Sequence, residues 1–132
     1  MERTFAMIKP DGVSRGLTGE IIKRYEQKGL KIAALKMMNA DKATVEEHYI
    51  EHKEKSFYGE LLDYILSGPV VAMVIEGHSA ITLVRKLNGA TKVEDAQPGT
   101  IRGDFAASTT NNIVHSSDSI ESAEREIKLW FK

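Results

Sequence analysis

Apolar positions fall into short blocks along the chain, and their spacing predicts the elements. Thr4 to Ile8 is apolar with β-branched and aromatic residues, and reads as a strand ended by Lys9-Pro10-Asp11-Gly12. Thr18 to Lys28 reads as a helix with Ile21, Ile22 and Tyr25 on its apolar face, and Gly29 stands where a C-terminal cap is expected. Leu30 to Met38 reads as a second strand. Lys42 to His52 and Gly59 to Leu66 read as helices, the latter followed by Ser67-Gly68-Pro69. Val70 to Ile75 is apolar at every position, as a strand buried on both faces would be. Ser79 to Leu87 is a further helical block. Asn88 to Asp104 is rich in Gly, Pro and polar residues and reads as a long loop, the kind that often carries function. Ile113 to His115 is a short strand. The last helix carries Ile120, Ala123, Ile127, Trp130 and Phe131 on one stripe, with Asp118 or Ser119 as its cap. Strands and helices in this order suggest a two-layer α+β sandwich, with the strand order left open.

Composition narrows the function. The chain has 132 residues, enough for one domain with a real core, and no linker or repeat divides it. Its formal net charge of -1 lacks the basic balance expected of a general nucleic-acid binder, yet a few local cations suffice for a small phosphorylated ligand. There is no cysteine, hence no disulfide frame, thiolate metal site or thiol nucleophile. The charged start Met1-Glu2-Arg3-Thr4 has no apolar signal core, and the run Val70 to Ile75 is too short to span a bilayer. A cytoplasmic location with no membrane contact is the expectation.

Several side chains carry candidate chemistry. His115 follows a short strand and precedes a capped helix, which could set its ring beside the positive helix end. A free imidazole has a pKa of about 6.5, so near neutrality it is mostly uncharged and nucleophilic. Lys9 ends the first strand, Arg102 lies in Pro98-Gly99-Thr100-Ile101-Arg102-Gly103-Asp104-Phe105, Arg85 lies in the helix before the long loop, and Asn112 lies three residues before His115. Arginine can clamp phosphate oxygens in a bidentate way and lysine acts as a point charge. Each residue taken singly is more readily explained as surface or structure, and spacing alone does not bring them together. His48-Tyr49-Ile50-Glu51-His52 matches a zinc-protease pattern, but no third ligand is evident. No G-x-x-x-x-G-K-[ST] loop is present, and no aromatic RNA-recognition pattern.

The segment Asn112-Ile113-Val114-His115-Ser116-Ser117-Asp118-Ser119 resembles the active-site signature of the nucleoside diphosphate kinases. The likeness extends through Ile8-Lys9-Pro10-Asp11-Gly12-Val13, Ser67-Gly68-Pro69-Val70-Val71, the Pro98 to Phe105 segment and Glu121 to Ile127, so it covers nearly the whole chain in order.

This resemblance implies a ferredoxin-like βαββαβ sandwich, a four-stranded antiparallel sheet with added helices. It implies ping-pong transfer of the terminal phosphate of a nucleoside triphosphate, mainly ATP, to nucleoside and deoxynucleoside diphosphates, with Mg²⁺ carried in by the nucleotide. By position, His115 matches the phosphate carrier, Glu126 the carboxylate that orients its ring, and Ser117 a hydroxyl beside them. Arg85, Thr91 and Arg102 match the phosphate binders, and Lys9 and Asn112 reach the sugar. Lys9 and Tyr49 also match residues near the transferred phosphate, and Phe57 the aromatic that stacks on the base. Any base offers a π-face, so broad base tolerance is expected.

The sequence also departs from the family pattern. Ser116 stands where Gly or Ala is common, Thr109 where an apolar residue faces the base, Lys92-Val93-Glu94 where Asn-Pro-Ala is common, and Ser56 where Pro precedes the aromatic. The resemblance further implies one domain over residues 1–132, without the longer C-terminal tail of many relatives, and a dimer-based homo-oligomer, tetramer or hexamer. Two rivals are a nucleotide-binding regulator without turnover and a single-strand nucleic-acid module.

Overall fold

The computed structural model describes all 132 residues. Four strands, β1 (Glu2–Ile8), β2 (Lys31–Met38), β3 (Val70–Gly77) and β4 (Val114–Ser116), form one antiparallel sheet in the order β2-β3-β1-β4. Helix α1 (Pro10–Ser14) follows β1 directly, with Pro10 fixing the first turn. Helices α2 (Thr18–Gln27) and α5 (Ala80–Asn88) make the two crossovers, giving the ferredoxin-like βαββαβ arrangement. Helices α3 (Lys42–His48) and α4 (Tyr58–Ile65) are inserted between β2 and β3. Helix α6 (Ile101–Phe105) and the terminal α7 (Ile120–Trp130) flank β4.

The central strands explain the layering. Side chains alternate between the two faces of a strand. Ala6 and Ile8 of β1, with Val71, Met73 and Ile75 of β3, pack under α2 and α5 through Ile21, Tyr25, Ala80 and Val84. Phe5 and Met7, with Val70 and Ala72, pack on the opposite face against Val45, Leu62, Ile65 and Trp130 of the other helices. The sheet is therefore covered on both faces, and the expected two layers become three. The cause is legible in β1 and β3, where every residue from Thr4 to Ile8 and from Val70 to Ile75 is buried.

Other boundaries differ for local reasons. The expected helix from Lys42 to His52 stops at His48, and Ile50–His52 forms a separate turn of 3₁₀ helix. The Asn88 to Asp104 loop holds a 3₁₀ turn at Val93–Asp95 and the start of α6, which Thr100 caps by accepting from the Gly103 N–H. Ser119 caps α7 in the same way, through the Ser122 N–H. Gly29 has a φ of 95°, the left-handed geometry of a helix C-terminal cap.

Candidate functional site

Helix α7 presents its apolar stripe to the sheet, and the stripe carries one carboxylate, Glu126, which is 6% exposed. Its Oε1 accepts hydrogen bonds from Ser117 Oγ at 2.7 Å and from His115 Nε2 at 2.9 Å. Burial by itself raises a carboxyl pKa. Here the His115 hydrogen bond, the His115 and His48 charges and the Ser117 hydroxyl outweigh it and hold Glu126 down at about 2. An ionised carboxylate can only accept, so the His115 proton sits on Nε2, and Nδ1 keeps its lone pair. The ring is thus fixed by a carboxylate in the body of α7, rather than by the positive end of that helix.

His115 lines a cleft of roughly 930 Å³. Lys9, Tyr49, Arg85, Thr91, Arg102, Asn112 and Glu126 share its wall, so eight of the ten residues singled out from the sequence meet in one place. The other two stand apart from the wall. Ser117 is buried behind Glu126. Phe57 is 43% exposed before α4, its ring 5.6 Å from that of His52, which does line the cleft.

Backbone geometry couples the two ends of the chain here. The Lys9 N–H donates to the Ile113 carbonyl at 2.8 Å, and Lys9 Nζ donates to Asn112 Oδ1 at 2.8 Å. Burial first, then repulsion from Arg102, brings the Lys9 pKa down to about 8 against the pull of Asp11. Ile113 has a φ of 77°, and the Val114 N–H bonds the Asn112 carbonyl at 2.8 Å. Together these make a classic γ-turn, which is rare and strained, at a β-branched residue. The turn sets Asn112 on one side and His115 on the other.

Arg102 is buried and already occupied. Its guanidinium donates to the carbonyls of Gly89 at 2.7 Å, Val114 at 2.7 Å and Asn112 at 3.3 Å. That uses three of its five N–H groups and leaves two for a ligand. Gly89, with φ of 89°, permits the arrangement, since a Cβ there would meet Thr100 Oγ1 at 2.5 Å. The Arg85 side chain has no hydrogen-bond partner within the chain, and the residue stands exposed on the cleft wall.

Sequence reasoning missed His48. It is buried, lines the cleft, and sets its ring edge-on to His115 with centroids 4.7 Å apart. Burial and the His115 charge push its pKa down to about 3, against Glu126. Its Nδ1 accepts from Trp130 Nε1 at 3.1 Å, so the neutral ring carries its proton on Nε2. Its position beside Val45 on the inner face of α3 was the available signal, obscured by pairing it with His52. Only one group of three potential metal ligands exists, His48, His115 and Glu126, and His52 is not in it. Two imidazoles and one carboxylate do not suit Mg²⁺, which prefers oxygen ligands.

A nucleophilic nitrogen, a set of cations and hydrogen-bond donors on a ferredoxin-like sheet are the equipment of a phosphotransferase. The family model for nucleoside diphosphate kinase matches residues 2–132. A protein of that name from Caldanaerobacter subterraneus is 63% identical, over 99% of this chain and 94% of the relative, and one from Archaeoglobus fulgidus is 61% identical, over 99% and 87%. The solved nucleoside diphosphate kinase of Encephalitozoon cuniculi superposes with a TM-score of 0.97 at 47% identity, covering 99% of this chain and 89% of that one. The Halobacterium salinarum enzyme, solved with CDP, gives 0.96 at 51% identity over 99% and 88%. The chain belongs to the nucleoside diphosphate kinase family, whose defining activity is phosphoryl transfer between nucleoside triphosphates and diphosphates.

Proposed function

We propose that His115 Nδ1 carries the phosphoryl group in a ping-pong exchange. In the first half, the Nδ1 lone pair forms a bond to the terminal phosphorus of a nucleoside triphosphate. The bond from that phosphorus to the bridging oxygen breaks, and its electron pair leaves on the nucleoside diphosphate. In the second half, a terminal oxygen of another nucleoside or deoxynucleoside diphosphate takes the group, and the electron pair of the N–P bond returns to Nδ1. The observation that carries this reading is the Glu126 carboxylate on His115 Nε2, which leaves Nδ1 as the free nitrogen on a residue of the cleft wall.

The remaining roles are those that membership of the family implies, and the charge and placement of the side chains support them. Phosphoryl transfer asks mainly for positioning and for stabilisation of charge on the equatorial oxygens. Arg85, Thr91 and the two unused N–H groups of Arg102 bind the phosphates. Lys9 and Tyr49 reach the transferred group, and Lys9 with Asn112 contacts the sugar. Phe57, exposed beside His52, offers a face to any base. Ser117 holds Glu126, and Glu126 holds the ring. A divalent ion, assigned as Mg²⁺, enters coordinated by the nucleotide phosphates as part of the substrate.

The assembly is assigned as a homo-oligomer built from dimers. Support comes from β2, an outer strand that exposes Leu35 and Met37, 46% and 57% exposed, along a free edge. The place of work is assigned as the cytoplasm, in keeping with the lack of cysteine and with no helix long and apolar enough to cross a membrane.

Intact mass after brief exposure to ATP and Mg²⁺, then to GDP, tests the carrier. Wild-type protein should gain one acid-labile phosphoryl group and lose it to GDP, and His115→Ala should gain none. Equal labelling of both proteins would refute the assignment.

A further inference from the structure

We propose that Ser116 is a catalytic hydrogen-bond donor to the phosphoryl group while it moves to and from His115. The inference rests on the His115 reading above and assigns a residue that the usual Gly or Ala at this position could not supply. Neighbouring residues of a strand point to opposite faces. Strand β4, however, is an outer strand of the sheet, and His115 and Ser116 both line the cleft.

A relay of buried polar groups fixes what the Ser116 hydroxyl can do. Tyr25 is fully buried in α2, and its phenol donates to Asn88 Oδ1 at 2.6 Å. Asn88, 1% exposed at the end of α5, donates from Nδ2 to Ser116 Oγ at 3.1 Å. The reverse orientation of the Asn88 amide would point Nδ2 at the phenol and leave the buried Tyr25 O–H without an acceptor. Buried donors are rarely left so. The relay therefore runs one way, from Tyr25 to Asn88 to Ser116, and Ser116 Oγ receives a hydrogen bond.

The hydroxyl still has its own proton, and no acceptor within the chain takes it. That proton belongs to a group on the wall of a cleft built for phosphate oxygens. Ser116 also accepts from Asn88, which polarises its O–H and strengthens it as a donor. In the exchange, the N–P bond forms as the bond to the bridging oxygen breaks. Ser116 gains and loses no proton. It donates one hydrogen bond to an equatorial oxygen whose charge peaks in mid-transfer.

The test follows phosphoenzyme formation at saturating ATP–Mg²⁺ by rapid quench, with ADP affinity measured in parallel, in wild type, Ser116→Ala, Ser116→Gly and Ser116→Thr. Small residues are common here in the family, so Ala and Gly should fold. Loss of one hydrogen bond to a charged acceptor slows labelling by roughly tenfold or more in both. ADP affinity should stay within about twofold, and Thr, which keeps the hydroxyl, should recover most of the rate. An unchanged rate in Ala and Gly overturns the proposal, as does an equal loss in Thr. Failure of wild-type protein to label at all would instead strike the His115 reading.

Discussion

Glutamate 126 offers the sharpest test of the energetics at the site. Replacing it by glutamine keeps the volume and one acceptor oxygen but removes the charge that His115 and Ser117 share. Folding lowers the Glu126 pKa from an ordinary 4.5 to about 2. At about 1.4 kcal/mol for each tenfold change in proton affinity, that difference is about 3 kcal/mol of stability. Because the folded pKa is the lower one, the stabilisation is complete above about pH 4.5 and is lost as pH falls through about 2. Urea unfolding of wild type and Glu126→Gln between pH 2 and 6 reads this directly. Asp41 and Asp104 also have lowered pKa values, but they are common to both proteins and cancel in the difference, as does His48, which is neutral in both folded proteins above its pKa of about 3. The stability gap should be about 3 kcal/mol at pH 5 and should close toward pH 2. A gap that stays constant over that range would refute the reasoning, since it would leave no role for the charge.

Three further outcomes are expected. Lys9 loses its proton near pH 8 in the free protein, so ADP affinity measured by calorimetry should weaken as pH rises through 8, and Lys9→Ala should flatten the profile. Arg102→Lys cannot serve the carbonyls of Gly89, Asn112 and Val114 together, and chemical unfolding should show a loss of about 2 kcal/mol or more besides weaker nucleotide binding. Gly89→Ala would press on Thr100 at a positive φ, and a thermal melt should report a destabilisation of roughly 1–3 kcal/mol.

Much of this was legible in the chain because the periods were clean. The apolar run Val70 to Ile75 announced a strand buried on both faces, and the stripe of Ala123, Ile127 and Trp130 announced α7. What periodicity could not give was which helices cover which face, since each helix shows one apolar stripe whichever face it meets. The site was legible mainly through resemblance. Lys9 and Asn112 are 103 positions apart, and no local pattern carries a hydrogen bond across that distance. Arg102 looked like a free phosphate clamp, whereas more than half of its donors brace the backbone. His48 escaped notice because a neutral buried histidine and a solvated one look alike in sequence. Thr109 and Val93, two departures from the family pattern, meet in space, where the Val93 N–H donates to Thr109 Oγ1 at 3.3 Å. A proline at 93 would have no N–H, and an apolar residue at 109 no acceptor, so the pair makes sense only together.

The turn at Ile113 also bears on how the chain can change over evolutionary time. Glycine there would relax the left-handed backbone but empty a fully buried space beside the site. Larger residues would keep the strain and collide with α1. Gly12 is bound into the same bargain, because a Cβ on it would meet Ile8 at 2.8 Å and Ile113 at 3.1 Å. The two positions therefore hold each other in place as a locked pair. Drift at either one is closed off unless the other moves first, so this corner of the cleft should vary more slowly among descendants of this sequence than the exposed loops around it.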